Sequence, residues 1–155
     1  MENKFSKLIK IELNENSDRN LSPEQKQERA IAIYDLMENN YFRLLGIKGP
    51  YILKLEIQPM HILFQINSKE NKLLKSFFLS LGSFRKLIRD YKIICENYYD
   101  AIKTKPPSQI QAIDMGRRSV HNEGSKKIIE RLSDKVELDD DTARRLFTLI
   151  CVLKL

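Results

Sequence analysis

Four short segments rich in apolar residues and bounded by turn residues are predicted to be β-strands, and the first of them approximates an alternation of apolar and polar positions. The segments are residues 5–13, 51–57, 61–66 and 73–81. In the first, Ile9, Ile11 and Leu13 are predicted to line one face, with Lys10 and Glu12 on the other. Short turns separate the last three segments, which are therefore predicted to form an antiparallel meander. The pattern leaves open where the first strand lies in the sheet.

Apolar residues spaced three and four apart predict four helices. The first begins after Ser22, the predicted N-cap, with Pro23 in its first turn and Gln25 completing a capping box. Its predicted core residues are Ala30, Ile33, Tyr34 and Met37.

Polar residues also mark the starts of the other three helices. Ser83 is the predicted N-cap of the second helix, and Ser108, after two prolines, that of the third. Three aspartates, residues 139–141, precede the fourth helix. Acidic residues at a helix start satisfy free amides and complement the helix dipole, so we interpret them as a cap and not as a metal site. Together the elements predict an α+β fold, a mostly antiparallel sheet of about four strands packed against about four helices.

The composition is that of an ordinary globular protein. Of 155 residues, 42% are hydrophobic and 31% are charged, so one domain over residues 1–155 is expected. The longest nearly apolar run, residues 146–153, is far shorter than the roughly 20 residues of a membrane span. No signal peptide is recognised, so a cytoplasmic protein without membrane contact is expected. Cys95 and Cys151 lack CxxC spacing and lie among apolar residues, which predicts buried thiols.

The third predicted helix contains an unusual polar segment, residues 114–125. At helical spacing one face collects the side chains of Asp114, Arg117, Arg118, His121 and Ser125. The same face continues as an apolar stripe before and after the segment, so this cluster is expected to point toward the core. Because an unpaired buried charge is costly, the cluster must pair internally, reach water in a cavity or bind a ligand.

Two conformations of this segment stay open. Residues 122–124 resemble the end of a helix, after which Ser125 would cap a new one. The free amides of that new helix would then form an anion site near Arg117 and His121. A continuous helix is the alternative, since a glycine costs only about 1 kcal/mol inside a helix.

The positions of the side chains on this helix carry a more specific prediction. Arg117 and His121 are predicted to lie on the inner side of the helix and residues 126–127, both lysines, on the outer side. Arg118 is predicted to form a buried ion pair with Asp114, while Arg117 turns to a pocket beside His121. The simplest alternative to a ligand site is a purely structural cluster of charged side chains that pair with one another and join helices.

Four segments of the chain are long and distinctive. They are ERAIAIYDL at 28–36, DY followed by ICENYYDAI within 90–102, AIDMGRR followed by HNEG within 112–124, and TARRLFTLICVL at 142–153. Together they resemble uncharacterised protein family 0262, a group of small bacterial proteins, over most of the chain. The family has no established reaction, so the resemblance implies no catalytic residue.

The first functional hypothesis is a non-enzymatic binding or regulatory module for an anion. The ligand would be a phosphorylated metabolite or an acidic protein partner, because the guanidinium group matches phosphate and carboxylate. The predicted ligand-binding residues are Arg117, Arg118, His121, Asn122 and Ser125.

The second hypothesis is an enzyme acting on a phosphorylated small molecule. His121 is the candidate acid/base, and Asp114 or Glu123 would orient it. The sequence has no recognised nucleophile motif and no carboxylates at metal-ligand spacing, so neither a metal nor a cofactor is expected. RNA binding is a third hypothesis, supported only by the net charge of +6.

Overall fold

A computed structural model describes residues 4–13 and 21–154 of the chain. Its strands are β1 Leu8–Leu13, β2 Phe42–Leu44, β3 Tyr51–Ile57, β4 His61–Ser68, β5 Leu73–Ser80 and β6 Val136–Leu138. Its helices are α1 Pro23–Glu38, α2 Arg85–Thr104, α3 Pro107–Leu132 and α4 Asp140–Lys154. One contiguous core joins side chains from the strands and from all four helices. None of the helices within the described residues is long and apolar enough to cross a bilayer.

The main sheet has four strands in the order β1-β3-β4-β5. The pairs β3–β4 and β4–β5 are antiparallel, which confirms the predicted meander. At one edge β1 pairs parallel with β3, reached through the α1 crossover. The predicted α+β class, with a mostly antiparallel sheet of four strands and four helices, is confirmed.

The alternation predicted for β1 is wrong at its start. Leu8 is fully buried whereas Ile9 is 43% exposed, because the register against β3 shifts between Leu8 and Lys10. The side-chain amide of Asn40 stabilises the irregular point: its Oδ1 accepts from the Leu8 amide at 2.8 Å, and its Nδ2 donates to the Leu8 carbonyl at 3.1 Å. A side chain thus satisfies the backbone of Leu8.

A second, two-stranded sheet is formed by β2 and β6, which the apolar pattern does not predict. Each strand has only three residues, too few to show a period. Phe42 and Leu44 are buried. On the exposed face Arg43 Nε lies 3.2 Å from Glu137 Oε1, so an ion pair spans the two strands.

The start of α1 agrees with the prediction, but its buried face agrees only in part. The Gln25 amide donates to Ser22 Oγ at 3.1 Å and the Ser22 amide donates to Gln25 Oε1 at 2.8 Å, which confirms the capping box. Ala32 and Leu36 are buried, and Ile33 and Met37 are partly buried against the core as predicted, whereas Ala30 and Tyr34 are exposed. Apolar residues occur on several sides of α1, so their spacing assigns its buried face only in part.

Neither Ser83 nor Ser108 caps a helix, so these two predictions are wrong. Ser83 lies in a 3-10 turn, and α2 begins after Phe84 without a side-chain cap. Pro106 is the N-cap of α3 and Pro107 its first residue, so Ser108 lies inside the first turn. Proline has no N–H and suits the first helical position, which lowers the need for a capping side chain.

The aspartates before α4 act as predicted for a helix start. Asp139 Oδ1 accepts a hydrogen bond from the Thr142 amide at 2.9 Å, and Asp140 and Asp141 lie in the first turn of α4. A carboxylate thereby satisfies one of the free amides at the start of this buried helix.

Helix α3 continues without a break through Gly124, so the continuous alternative is correct and the anion site of free amides does not form. A Cβ at Gly124 would lie 2.4–2.5 Å from atoms of the Phe147 ring on α4. Real Cβ atoms do not approach other carbons so closely, so the glycine is required by the close packing of α3 on α4. This contact sets the position of the polar segment relative to α4.

Both cysteines are buried free thiols, as predicted. Burial raises the pKa of Cys95 on α2 to about 12 and that of Cys151 on α4 well above its ordinary value. Such thiols are protonated at neutral pH and behave as small apolar side chains in the core.

Candidate functional site

A cavity of about 430 Å³ is lined by side chains from all four helices. We call it the Arg117 cavity. Helix α1 contributes most of one wall, α2 contributes Tyr99, α3 contributes Arg117 and His121, and α4 contributes Arg145 and Thr148. The residues from α1 are Glu24, Gln27, Glu28, Ile31, Ala32 and Asp35. Its volume is in the range of small-molecule sites, and two of the predicted site residues meet in it.

Arg117 enters this cavity from α3 with its guanidinium group held on two sides. Its Nη2 donates to Asp114 Oδ1 at 2.8 Å, and its Cζ lies 4.6 Å from the centroid of the Tyr98 ring. The side chain is 32% exposed, as expected for the inner side of the helix. Its Nε is buried and has no hydrogen-bond partner among the described residues. The group is therefore fixed in place while one donor remains unsatisfied.

His121 lies one turn further along α3, between two aromatic rings. Its ring centroid is 5.3 Å from that of Tyr91 and 6.2 Å from that of Phe147, both in edge-to-face geometry. Its Nε2 and the Tyr91 hydroxyl are buried without hydrogen-bond partners among the described residues. Burial, together with the nearby charges of Arg144 and Arg117, lowers the pKa of His121 to about 4. At neutral pH the imidazole is uncharged, with one nitrogen as donor and one as acceptor.

Asp114 binds both arginines, so the prediction about them is correct only in part: Arg118 pairs with Asp114 and Arg117 lines the cavity beside His121, but the Arg118 pair is exposed and Asp114 is shared. Its Oδ1 pairs with Arg117 at 2.8 Å and its Oδ2 with Arg118 Nη2 at 2.9 Å. The hydrogen bond from Arg117, with the charges of both arginines, holds the pKa of Asp114 below its usual value. Arg118 is 67% exposed and does not form a buried pair. On a helix the positions i+3 and i+4 both reach a carboxylate at i, which is why Asp114 holds the two together.

The two lysines that follow the polar segment differ from each other. Lys126 is exposed as predicted, but Lys127 is half-buried and the prediction for it is wrong. Lys127 Nζ donates to the Ser83 carbonyl at 3.2 Å and lies 6.0 Å from the centroid of the Phe84 ring. A lysine stem can cover apolar surface while its ammonium group finds a polar partner, which a helical wheel does not show.

The remaining predicted site residues lie away from the Arg117 cavity. Asn122 and Ser125 line a different cavity of about 340 Å³, next to the start of α4. Ser125 is buried, and its Oγ donates to the Asn122 carbonyl at 3.1 Å. Glu123 is exposed. The structure thus brings Arg117 and His121 together and leaves Asn122, Ser125, Glu123 and Arg118 outside their cavity.

The α1 wall contains carboxylates that the sequence analysis does not identify. Glu24, Glu28 and Asp35 all line the cavity. Glu28 Oε2 accepts a hydrogen bond from the Tyr99 hydroxyl at 3.3 Å. Burial raises the pKa of Glu28, and burial together with the Glu28 charge raises that of Tyr99. The signal in the sequence is the spacing of these carboxylates beside Ala32, on the helical face that becomes buried.

A neighbouring cavity of about 390 Å³ shares part of this wall. Glu24, Glu28 and Tyr99 line both cavities, and the second also contains Cys95. We call it the Cys95 cavity. The Glu28–Tyr99 hydrogen bond therefore belongs to the wall between the two. Within residues 4–13 and 21–154, no group of three His, Cys, Asp or Glu side chains is placed to hold a metal ion.

Fold and cavity together define a small α+β protein with a polar, mixed-charge cavity between its helices. The chain belongs to the uncharacterised protein family UPF0262, whose model matches residues 5–155. The resemblance drawn from the sequence is thereby confirmed. A UPF0262 protein of Rhodospirillum rubrum is 51% identical over 146 residues, covering 94% of this chain and 91% of the relative.

Further relatives share similar identity over similar lengths. A UPF0262 protein of Ruegeria pomeroyi is 49% identical over 155 residues, covering 96% of each chain. One of Brucella canis is 47% identical over 150 residues, covering 96% of this chain and 93% of the relative. No solved structure matches the chain. The names of these three relatives state neither a ligand nor a reaction, so function must be argued from the cavity.

Proposed function

We propose that this protein is a non-enzymatic binding module for a small anionic molecule, held in the Arg117 cavity with its phosphate or carboxylate group against Arg117. One observation carries the proposal. Arg117 and His121 line the same cavity, and each has a buried nitrogen without a hydrogen-bond partner among the described residues. Buried polar atoms in native proteins are almost always hydrogen-bonded. An oxyanion would accept from Arg117 Nε and, in the suitable tautomer, from His121 Nε2.

The electrostatics of one wall support an anion. Arg145 lines the cavity with Arg117, and its Nη1 already donates to the Asn39 carbonyl at 2.9 Å. A guanidinium group that is oriented by other contacts loses little entropy when it binds an oxyanion, and partial burial strengthens the charge-assisted hydrogen bond. The net charge of +6 favours the approach of an anion from solution.

The concave shape favours a small molecule over an acidic protein partner. The unsatisfied nitrogens are buried and the cavity has a volume of about 430 Å³, which suits a phosphorylated metabolite. We also propose a cytoplasmic location, in keeping with two free thiols.

An enzymatic role for His121 is the second candidate, because His121 lines the same cavity and its buried Nε2 has no hydrogen-bond partner among the described residues. Its pKa of about 4 makes it a weak base at neutral pH. Both oxygens of Asp114 are engaged by arginines and Glu123 is exposed, so neither carboxylate is placed to orient the ring. A neutral hydrogen-bonding role suits His121 better. RNA binding is supported only by the net charge and stays a prediction.

The two histidines allow a direct test of the proposed function. Inorganic phosphate and ethyl phosphate are titrated into the protein while the imidazole resonances are followed by NMR. The resonances of His121 should shift with saturation, and those of His61, which lies on β4 against Phe78, should not. Binding should also raise the melting temperature.

A matched pair of variants locates the anion. Arg117→Gln removes the charge in the cavity, whereas Arg118→Gln removes the exposed charge that pairs with the same Asp114. Binding should fall roughly tenfold or more in Arg117→Gln, because a partly desolvated charge-assisted contact is lost, and by less than about twofold in Arg118→Gln. Equal losses in the two variants, or an unchanged His121 signal in the wild type, would contradict the proposal.

A further inference from the structure

We infer that the ligand of the Arg117 cavity is a small zwitterion, whose amine lies against Glu28 on α1 while its acidic group lies against Arg117. The inference rests on the proposed function and adds the second charge of the ligand. It therefore narrows the ligand class from small anions to molecules such as amino acids or amino-alkyl phosphates, which carry both charges on a short chain.

The walls of the cavity carry charges of opposite sign. Carboxylates from α1 form one wall, and Arg117 and Arg145 from α3 and α4 contribute the opposite charge. The carboxylates are Glu24, Glu28 and Asp35. A ligand with negative charge alone would gain at the arginines and lose at the carboxylates, since like charges in a partly buried site repel strongly. A ligand with both charges matches both walls.

Within the described part of the chain, Glu28 itself lacks a directly paired cation. It is half-buried, and among the described residues its one hydrogen-bond donor is the neutral Tyr99 hydroxyl, at the long distance of 3.3 Å. An ionised carboxylate can accept several hydrogen bonds. The charge of Arg117 lowers the pKa of Glu28, but the ion-pair partner of Arg117 is Asp114, so a second cation would stabilise the partly buried Glu28 carboxylate. An ammonium group in the cavity would supply that cation.

The spacing of the carboxylates favours an organic cation over a metal ion. The carboxylates of the α1 wall are not grouped closely enough to hold a metal ion, within the part of the chain that the structure describes. An amine needs fewer ligands than a metal and is satisfied by one or two carboxylates with a neutral acceptor. Between the charged groups, Ile31 and Ala32 add apolar surface to the lining. A short aliphatic linker between the two ends of a ligand fits that surface.

Three matched probes separate the two charges. Phosphoethanolamine carries phosphate and ammonium, ethyl phosphate lacks the ammonium, and ethanolamine lacks the phosphate. Isothermal titration calorimetry on the full chain compares them in one buffer at neutral pH. Phosphoethanolamine should bind roughly tenfold more tightly than ethyl phosphate, the gain of one additional charge-assisted contact, and ethanolamine should bind most weakly.

Variants of α1 assign the ammonium group. Glu28→Gln keeps the size of the side chain and removes its charge, so the roughly tenfold preference for phosphoethanolamine should fall to about one while ethyl phosphate binds at least as well as before. Glu38→Gln makes the same change at an exposed position of the same helix and should keep the preference. Circular dichroism confirms that each variant is folded.

The outcomes distinguish this inference from the proposed function. If ethyl phosphate binds with the expected dependence on Arg117 and phosphoethanolamine binds no better, the ligand is a simple anion and the zwitterion inference is overturned alone. If neither phosphate probe binds and the His121 resonances stay unchanged, both are overturned. A preference that persists in a folded Glu28→Gln variant removes Glu28 as the partner. If that variant does not fold, the comparison of the three probes on the wild-type chain decides by itself.

Discussion

At the scale of single residues, His121 shows how the core changes the chemistry of a side chain. Its ring packs edge-to-face against Tyr91 and Phe147, so little water remains to solvate an imidazolium. Arg144 and Arg117 add positive charge nearby. Because each of these factors disfavours the charged form, acidification should act on the stability of the protein through this residue.

We expect the free energy of unfolding to depend on pH through His121. Its pKa is about 4 in the folded protein against an ordinary value of 6.5, so between these values the unfolded chain binds more protons. Stability is therefore fully present above pH 6.5 and falls as the pH drops toward 4, by up to about 3 kcal/mol from this group. Urea unfolding at several pH values in this window measures the effect.

Two variants test whether His121 is the group that causes this pH dependence. His121→Gln removes the titrating ring and should flatten the pH dependence in this window. His61→Gln, at a half-exposed strand end, should keep the dependence of the wild type. Parallel curves for the wild type and His121→Gln would show that the buried imidazole titrates normally.

Helical spacing is enough to predict that Arg117 and His121 share a face, but it does not predict what they meet. Glu28 and Tyr99 reach the same cavity from α1 and α2, and their arrival depends on how those helices dock. Helical spacing also places Arg118 beside Arg117, because the positions three and four residues after Asp114 both reach its carboxylate. Which of two such neighbours faces another helix is decided by tertiary packing.

At the scale of the helices and strands, the contact between α3 and α4 depends on a residue without a side chain. The Phe147 ring occupies the space where a Cβ of Gly124 would lie. Gly116 is in the same helix, and nothing lies within 4 Å of the Cβ that it would have. The two glycines therefore form a natural pair for comparing packing with helix propensity.

We expect opposite effects when each glycine is changed to alanine. Gly124→Ala should destabilise the protein by about 2 kcal/mol or more, because the methyl group forces α3 away from Phe147. Gly116→Ala should be neutral or stabilise by up to about 1 kcal/mol, because alanine is the better helix former and meets no obstacle. Urea or thermal unfolding gives both values. Stabilisation by both changes would show that the α3–α4 contact can widen without cost.

Local signals predict the elements that depend on local interactions. The capping box of Ser22 and Gln25 is complete within four residues, and the start of α1 is predicted correctly. Gly124 carries an ambiguous signal, because glycine suits both a helix end and a close helix contact. The residue that resolves it, Phe147, lies on another helix. The β2–β6 pair is not predicted for a similar reason, since each strand is short and its partner is distant in the chain.

At the scale of the whole molecule, Asn40 joins the helices to the sheet. Its Nδ2 donates to the Leu36 carbonyl near the end of α1 at 2.6 Å and to the Leu8 carbonyl of β1 at 3.1 Å, and its Oδ1 accepts from the Leu8 amide at 2.8 Å. One side chain thus satisfies a carbonyl in the last turn of α1 and the backbone of Leu8 in β1, where the register shifts. No sequence motif marks this role, because it requires the parallel β1–β3 pairing.

Replacing Asn40 should loosen this connection. Asn40→Ala leaves partly buried backbone groups of Leu8 without partners, so we expect a loss of about 2–3 kcal/mol in the free energy of unfolding. Asn39→Ala, at the adjacent exposed residue, should cost much less. Hydrogen exchange of β1 amides should accelerate in the first variant alone. Equal exchange of β1 in both variants would show that the strand is held by the sheet without Asn40.

Chemical modification of the two buried thiols can be used to detect opening of the native structure. Cys95 on α2 and Cys151 on α4 are protected by packing and by raised pKa values, and a thiol reagent modifies the fully buried Cys151 only when the helices separate. The rate of Cys151 modification in the native chain therefore measures the frequency of that separation. Cys95 also lines the cavity that shares Glu28 and Tyr99 with the candidate site. A ligand that steadies this common wall would slow the modification of Cys95, so occupancy can be followed without any added label in the protein.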